Sequence, residues 1–230
     1  ITLLIGTAPK LAAFALALRV LAGALAGIAF DWQGMLIVLA LLSMVLGTLF
    51  GIALALARNT KSRLARGFAS AWIETARNTP ALFQIYMIYF GLGSLGVFVD
   101  SFPALLIGIA FNNAGYLAET FRGGLRAIPP TQVRAARSLG MSAPQAFRLV
   151  VLPQLLRTVF HPMTNQMVWA ILMTSLGVVV GLNSDLTGVT QELNVRTFRT
   201  FEFFVLAAAI YYLITKFVTL SARLLASRLF

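Results

Sequence analysis

Residues 34–57 form a run of 24 residues without a charged side chain. A run of this length reaches the roughly 20 apolar residues that an α-helix needs to cross the ~30 Å hydrocarbon core of a bilayer. The backbone N–H and C=O groups of such a segment find no water in the bilayer, so the segment must satisfy them internally as a helix. Four basic residues follow at once: Arg58, Lys61, Arg63 and Arg66. This feature predicts an integral membrane protein.

Four later segments repeat the pattern, at 67–91, 103–118, 158–182 and 203–222. The first of them is interrupted by Glu74, Arg77 and an Asn78-Thr79-Pro80 break, and the last contains Lys216. Hydrophobic residues make up 59% of the chain and charged residues 11%, whereas soluble domains average about 45–50% and about 25%. We therefore predict an all-α membrane protein with five core transmembrane helices, and a soluble enzyme is excluded.

The N-terminal residues 1–30 are ambiguous. Residues 11–30 are long and apolar enough to cross the membrane, but Arg19 lies in the middle of the segment. A cation there costs about 2.5–3.5 kcal/mol on insertion scales. We predict an extra N-terminal helix over 1–30 that spans the membrane, with a tilted interfacial helix as the alternative.

The net charge is +11. We attribute this excess of Lys and Arg to the loops that orient a membrane protein, so no nucleic-acid partner is expected. The loop 58–66 carries four basic residues and the loop 122–157 carries six, whereas the loop 92–102 carries none. Lys and Arg accumulate in cytoplasmic loops of inner-membrane proteins. We therefore place both basic loops and the C-terminal tail in the cytoplasm, and the chain as a multi-pass protein in a bacterial inner membrane.

Catalytic and metal chemistry have little support in the residue set. The chain has no cysteine, and His161 is its one histidine, so neither a metal cluster nor a Ser-His-Asp triad is expected. A glycine-rich phosphate loop is also absent from the sequence. We predict no catalytic residue, no metal site and no cofactor in this chain.

The loop 122–157 predicts structure of its own. Pro129-Pro130-Thr131 indicates a helix start with Thr131 as N-cap, and Gly140 would end that helix in the C′ position. Ser142 and Gln145 have the spacing of a capping box, and the helix that they open is predicted to end at Pro153. Ala135 and Ala136 would form an exposed surface of small residues for another protein. A membrane-surface element that binds anionic lipid is the alternative.

The spacing of this loop resembles a known family. Arg134-Ala135-Ala136 is followed after three residues by Gly140, and after nine more by Val150-x-Leu152-Pro153. This is similar to the EAA loop of permease subunits of bacterial ATP-binding-cassette (ABC) importers. Gln132 and Gln154 stand where the polar amino acid branch of that family has glutamines. Two positions depart from the pattern, because Arg134 replaces the family glutamate and Met173 replaces a polar or basic residue.

Three other segments resemble the same branch. They are the stretch 77–84, which includes Arg77, Thr79, Pro80 and Gln84, the stretch 114–124, and Thr174-Ser175-Leu176. The resemblance covers about residues 33–225. It implies a permease domain at 31–230 with a cytoplasmic coupling loop at 122–157, and it leaves 1–30 as a separate segment.

The resemblance implies a membrane-spanning permease subunit that forms a translocation path for polar amino acids. The segment 131–147 would couple it to two cytoplasmic ABC ATPase subunits, which would hold ATP and Mg. A second permease subunit and a periplasmic or lipid-anchored substrate-binding protein would complete the importer. Arg134 favours a heterodimer with a non-identical permease that keeps the glutamate. The alternatives are an ion-coupled secondary transporter of small polar solutes, using Glu119 and Lys216, and a membrane scaffold.

Polar groups inside a span are expensive unless they face a cavity or a partner, so they define the candidate site. The predicted substrate-path residues are Gln84, Asn112, Asn113, Tyr116, Glu119, Asn165, Thr174 and Ser175. The predicted ATPase-coupling residues are Gln132, Arg134, Ala135, Ala136, Gly140, Leu152 and Pro153. Arg77, Thr79 and Pro80 are assigned structural roles. The alternative for the amides is that they bridge helices, for about 0.6 kcal/mol each, and Glu119 would equally pair with Arg122 or Arg77.

Overall fold

The computed structural model describes residues 31–229, with side chains from Met35 onward, and this part of the chain is helical without strands. The predicted all-α class is confirmed. The predicted N-terminal helix at 1–30 lies outside the described residues. The helices are α1 (Asp31–Arg58), α2 (Arg63–Asn78), α3 (Ala81–Ser94), α4 (Ser101–Arg126), α5 (Pro130–Ser138), α6 (Ala143–Val180), α7 (Leu186–Thr197) and α8 (Thr200–Leu229).

Helix α4 is the centre of the bundle. It packs against α1 along much of its length and also contacts α2, α3 and α6. Glycines allow the closest approach, since a Cβ added at Gly47 of α1 would lie 2.5 Å from the Cβ of Asn113. Small residues bring helices together in membranes because lipid tails supply no hydrophobic drive to association. In the described part of the chain, α1, α4, α6 and α8 are long and apolar enough to cross a membrane.

The predicted span at 67–91 is divided at its Asn78-Thr79-Pro80 interruption into two helices, α2 and α3. Thr79 has extended backbone angles, φ −118° and ψ 146°, since Pro80 disfavours the helical conformation for the residue before it. Both helices follow α4 in the opposite direction. Ala76 of α2 packs on Gly115, and Ile85 of α3 packs on Gly108. Together the two short helices run beside α4 as one broken crossing, which accounts for the fifth predicted span.

Helix α5 ends as predicted, but its N-cap differs from the prediction. Gly140 follows α5 with φ +86°, the left-handed conformation expected at C′. Thr131 is not the N-cap. Pro129 holds that position without a side-chain cap, and Pro130 is the first helical residue, where its fixed φ suits the first turn. The next start matches the prediction, because Ser142 and Gln145 form both hydrogen bonds of a capping box.

Helix α6 does not end at Pro153 as predicted. It continues through Pro153 to Val180, and a π-helical turn at Phe147–Val151 precedes the proline. Proline lacks an N–H and its ring clashes with the carbonyl one turn earlier, and a wider turn accommodates both defects. The segment outside the two long helices is therefore 127–142, shorter than the predicted loop 122–157. The segment 183–202, between the last two predicted spans, contains α7, which packs against α8.

Candidate functional site

A cavity of about 530 Å³ opens between the break in α2–α3, the middle of α4 and the middle of α6. Its volume lies within the roughly 300–1,000 Å³ of small-molecule sites. The lining residues are Thr79, Pro80, Ala81, Asn112, Tyr116, Pro162, Asn165, Gln166, Trp169 and Met173. None of these described lining residues carries a charge. The cavity offers amides, a phenol and an indole, which supply hydrogen-bond donors and acceptors beside apolar surface.

Helical spacing on α6 explains one wall of the cavity. Pro162, Gln166, Trp169 and Met173 recur at intervals of four, three and four residues, so they share one face of the helix. Asn165 flanks that face and is exposed. Of the predicted path residues, Asn112, Tyr116 and Asn165 meet here with Thr79 and Pro80. The predicted substrate-path residues do not include Pro162, Gln166 and Trp169, which the same spacing around Asn165 could have identified.

A network of amides holds the broken helix and accounts for Gln84. The Gln84 Nε2 donates to the carbonyl oxygens of Ala76 and Thr79, each at 3.0 Å, and to the Thr79 Oγ1 at 2.8 Å. The Asn112 Nδ2 donates to the Ala76 carbonyl at 3.0 Å and to the Gln84 Oε1 at 3.2 Å. Gln84 is buried and its amide is occupied by protein partners. The structural role predicted for Thr79 and Pro80 is consistent with this network.

Asn113 lies behind the cavity and positions Gln166. The Gln166 Nε2 donates to the Asn113 Oδ1 at 2.8 Å, and Asn113 is fully buried. Among the described residues, no group accepts a hydrogen bond from the Asn113 Nδ2. Asn113 therefore connects α4 to the cavity-lining face of α6 without reaching the cavity itself.

Thr174 and Ser175 do not line the cavity. Their hydroxyl groups donate to carbonyl oxygens of the preceding turn, Thr174 to Ile171 at 2.7 Å and Ser175 to Leu172 at 2.6 Å. These bonds lie where α6 narrows to a 3₁₀ helix at Thr174–Val180. Thr174 is fully buried. Local bonding of this kind is usual for hydroxyls within helices.

Glu119 forms ion pairs and does not line the cavity. Its carboxylate accepts hydrogen bonds from Arg58 of α1 and from Arg122 of its own helix. The Arg77 Nη1 lies 4.0 Å from the Glu119 Oε2, and the Arg77 guanidinium sits 5.7 Å from the ring centre of Tyr116. Two roles were predicted for Glu119, contact with substrate or pairing with an arginine, and the structure shows the pairing. Glu74, an alternative partner for Arg77, instead accepts a hydrogen bond from Asn78 at 3.0 Å.

The predicted coupling residues lie on α5, in the turn after it and at the start of α6, and Ala136 differs from the others. Gln132, Arg134, Ala135 and Gly140 are exposed, but Ala136 is only 5% exposed. Ala136 follows Val133 by three residues, so both lie on the inner face of α5. Val133 packs against the cluster that contains Ile128. The predicted exposed pair is therefore reduced to Ala135.

The remaining coupling residues join α5 to the start of α6. Leu152 is half-buried and Pro153 is exposed. Gln154 donates to the Gln132 Oε1 at 2.7 Å, which links the two helices across the turn. The two glutamines that flank the motif in sequence are thus in direct contact.

Residues 47–230 match the family described as "Binding-protein-dependent transport system inner membrane component". The octopine transport system permease protein OccM of Rhizobium radiobacter is 34% identical over 189 residues, which cover 78% of this chain and 76% of the relative. The probable glutamine ABC transporter permease protein GlnP of Bacillus subtilis is 32% identical over 206 residues, covering 87% and 94%.

The fold is similar to those of solved transporters. A chain from the crystal structure of an amino acid ABC transporter with histidines aligns with a TM-score of 0.83 and 30% identity, covering 91% of this chain and 97% of that chain. A chain of the inward-facing MetNI methionine ABC transporter aligns with a TM-score of 0.67, covering 90% and 96%. Its 17% identity makes it evidence for the fold alone.

Proposed function

Since the chain belongs to the family of binding-protein-dependent transport system inner membrane components, we propose that its cavity is the translocation path for polar amino acids in an ABC importer. The chain is the membrane-spanning permease subunit. The single observation that supports the path is the uncharged polar cavity between the α2–α3 break and α6. Family membership does not favour the ion-coupled secondary transporter. Permeases of this family work with ATPase and substrate-binding partners.

The cavity chemistry suits a zwitterionic amino acid. The side chains of Asn165, Tyr116 and Trp169 present donors to a carboxylate, and amide oxygens present acceptors to an ammonium group. Asn112 and Gln166 are held from behind by Gln84 and Asn113. Held side chains lose less conformational entropy when they bind a ligand. These residues are proposed to contact the passing substrate.

Coupling is proposed to run through the continuous helix α6. The exposed face of α5, with Arg134 and Ala135, would contact the ATPase. The turn at Gly140 leads directly into the capping box at Ser142, where α6 begins. The same helix then carries Asn165 and Trp169 to the cavity, so a displacement of its surface end tilts the cavity wall. Two conformations of this kind would alternate the access to the cavity.

The finer composition of the complex is also proposed. It comprises two ATPase subunits that hold ATP and Mg, a second permease and a periplasmic or lipid-anchored substrate-binding protein. Arg134 is exposed on α5 and forms no side-chain salt bridge among the described residues, so it is available to a partner. Because arginine stands here in place of the family glutamate, we propose a non-identical second permease that keeps the glutamate. The complex would lie in a bacterial inner membrane.

The first experiment is purification of the chain from its native membrane in mild detergent, with mass spectrometry of what stays bound. We expect a P-loop ATPase and a second, different permease. Recovery of one permease sequence would instead establish a homodimer. A chain that is recovered alone, in a detergent that preserves known complexes, would contradict the importer and favour the secondary transporter.

The cavity is tested by Asn165→Leu in the reconstituted complex. Loss of one hydrogen bond to a charged group removes about 1.5–3 kcal/mol, so we expect amino acid uptake to fall about tenfold or more. Gln191→Leu is the matched control, because Gln191 is exposed on α7 away from the cavity. Equal uptake by the Asn165 variant and the control would exclude this residue from the path.

The coupling turn is tested by Gly140→Val. The φ of +86° at Gly140 is strained for a β-branched residue, so the turn between α5 and α6 would be displaced. Gly140→Asn is the control, because Asn tolerates this conformation. We expect substrate-stimulated ATP hydrolysis to fall in the Val variant and to persist in the Asn variant. Normal stimulation in both variants would contradict a coupling role for this turn.

A further inference from the structure

A second cavity, of about 460 Å³, lies between α6 and α8 and belongs to no part of the proposed path. Its lining residues are Arg157, Phe160, His161, Arg223, Ala226 and Ser227. On each helix the polar residues are four apart, at 157 and 161 and at 223 and 227, so they face the same gap. Two polar edges from different helices thus form one cleft.

The cleft lies at the basic end of the bundle, the end that carries Arg58, Arg122 and Arg126. Leu155 and Val159 of α6 pack around Gly124 of α4, which places Arg157 at the level of those arginines. The C-terminal part of α8 brings Arg223 to the same level. Positive residues at this position lie beside lipid headgroups.

The cleft is separate from the proposed translocation cavity. At about 100° per residue, Arg157 and His161 lie on a face of α6 turned by roughly 80° to 180° from Pro162, Gln166 and Trp169. Among the residues that the structure describes, the two cavities share no lining residue. A ligand in the cleft therefore does not occupy the substrate path.

Arg157 and Arg223 line the same cleft, and no described carboxylate pairs with either of them. In the part of the chain that the structure describes, salt bridges to carboxylates involve Arg58, Arg77, Arg122 and Arg196. The described lining of the cleft contains no carboxylate. Two guanidinium groups repel each other, and an anion between them relieves that repulsion. Guanidinium donors match the oxygens of a phosphate group. The Ser227 hydroxyl, which donates to the Leu224 carbonyl at 2.9 Å, lies in the same cleft.

The surface beside the cleft is apolar. Helix α8 buries the smallest share of its residues among the four spanning helices, and Phe217, Leu220 and Leu224 are 71%, 58% and 59% exposed. Their spacing of three and four continues to Ser227, so the apolar strip leads along α8 into the polar cleft. A phosphate site above an apolar strip matches a phospholipid better than a free anion.

We propose that the cleft between Arg157 and Arg223 binds the phosphate headgroup of an anionic phospholipid, with acyl chains along Phe217, Leu220 and Leu224. Basic pockets between transmembrane helices near the headgroup level bind anionic lipids in this way. The bound lipid would fasten the end of α8 to α6 at the basic end of the bundle.

The test uses the full chain, purified together with the subunits that stay bound and then delipidated. The complex is titrated with dioleoyl-phosphatidylglycerol, and native mass spectrometry measures the bound lipid. We expect Arg157→Gln with Arg223→Gln to weaken phosphatidylglycerol binding at least tenfold. The control is Arg126→Gln with Arg228→Gln, which removes the same charge from exposed positions outside the cleft. The control is expected to bind within twofold of the unmodified chain. Equal binding by both double variants would overturn the proposal.

Two further arms identify the source of the phosphate and guard against misfolding. Inorganic phosphate at millimolar concentration should leave phosphatidylglycerol bound. Complete displacement by phosphate would overturn the proposal of a lipid ligand in favour of a free anion.

The variant Arg157→Lys with Arg223→Lys keeps both positive charges but loses the paired guanidinium donors. If the glutamine variant fails to unfold cooperatively, the lysine variant decides: at least threefold weaker binding supports the site, and unchanged binding overturns it.

Discussion

At the residue scale, glycines set the spacing of the bundle around α4. A Cβ added at Gly115 would lie 2.5 Å from the Cβ of Ala76, and one at Gly67 would meet nothing within 4 Å. Real carbon atoms do not approach to 2.5 Å, so any larger residue at Gly115 must push α2 away from α4. That displacement would also strain the bond between Asn112 and the Ala76 carbonyl, at the edge of the cavity.

We predict that Gly115→Val destabilises the protein by about 1–3 kcal/mol, the usual cost of overpacking. The control is Gly67→Val, because Gly67 is exposed on α2. We predict that it changes the free energy of unfolding by less than about 0.5 kcal/mol. Thermal unfolding in detergent, followed by circular dichroism, measures both. If the two variants melt alike, the contact with Ala76 does not determine the packing of α2.

At the element scale, α7 depends on a buried N-cap. The Asp185 carboxylate accepts hydrogen bonds from the backbone N–H of Gly188 at 2.8 Å and of Thr187 at 3.3 Å. The Thr187 Oγ1 lies 3.1 Å from the Tyr211 hydroxyl of α8, which fixes α7 against that helix. Asp185 is fully buried, and this burial raises the pKa of its carboxyl group from 3.8 to about 6.

The raised pKa of Asp185 predicts the sign of a pH dependence. The folded chain binds this proton more tightly than the unfolded chain, so the contribution of Asp185 to stability is greatest below pH ~4. It falls as the pH rises from about 4 to about 6, by roughly 3 kcal/mol in total. Asp185→Asn should remove this dependence. The measurement is the difference in unfolding free energy between the two proteins from pH 4 to 7, and a constant difference would contradict the assignment.

At the scale of the whole molecule, one carboxylate joins the ends of three helices. Glu119 of α4 pairs with Arg58 at the end of α1 and with Arg122, and Arg77 near the end of α2 lies within 4.0 Å. Three cations surround one anion, so the cluster keeps a positive charge at the basic end of the bundle. Without Glu119 the arginines would repel one another across helices that are otherwise in contact.

We predict that Glu119→Gln destabilises the bundle by about 1–2 kcal/mol, below the 3–5 kcal/mol of a fully buried pair because the cluster is partly exposed. Glu192→Gln is the matched control, since Glu192 pairs with Arg196 on an exposed face of α7. Its effect should be below about 0.5 kcal/mol. Urea or thermal unfolding in detergent compares them, and a similar loss in both would mean that the Glu119 cluster does not join the helices.

Features that depend on local chemistry were predictable from the amino-acid sequence. Uncharged runs of sufficient length located the spans, because the bilayer permits few backbone solutions. Gly140 and the Ser142–Gln145 capping box were predictable, since their interactions extend over three residues. The Thr79–Pro80 break was visible as an interruption. Its consequence, two helices in place of one, was not.

Which polar groups meet depends on how the helices pack and could not be predicted from the sequence. Arg58 and Glu119 are 61 positions apart, and Asn113 and Gln166 are 53 apart, so no local pattern relates them. Gln84 and its partner Asn112 on α4 are 28 positions apart, so their bond was also hidden. The burial of Ala136 likewise became visible only in the folded structure. A polar side chain in a span must satisfy its hydrogen bonds somewhere, but whether it does so with another helix or in a cavity depends on how the helices pack.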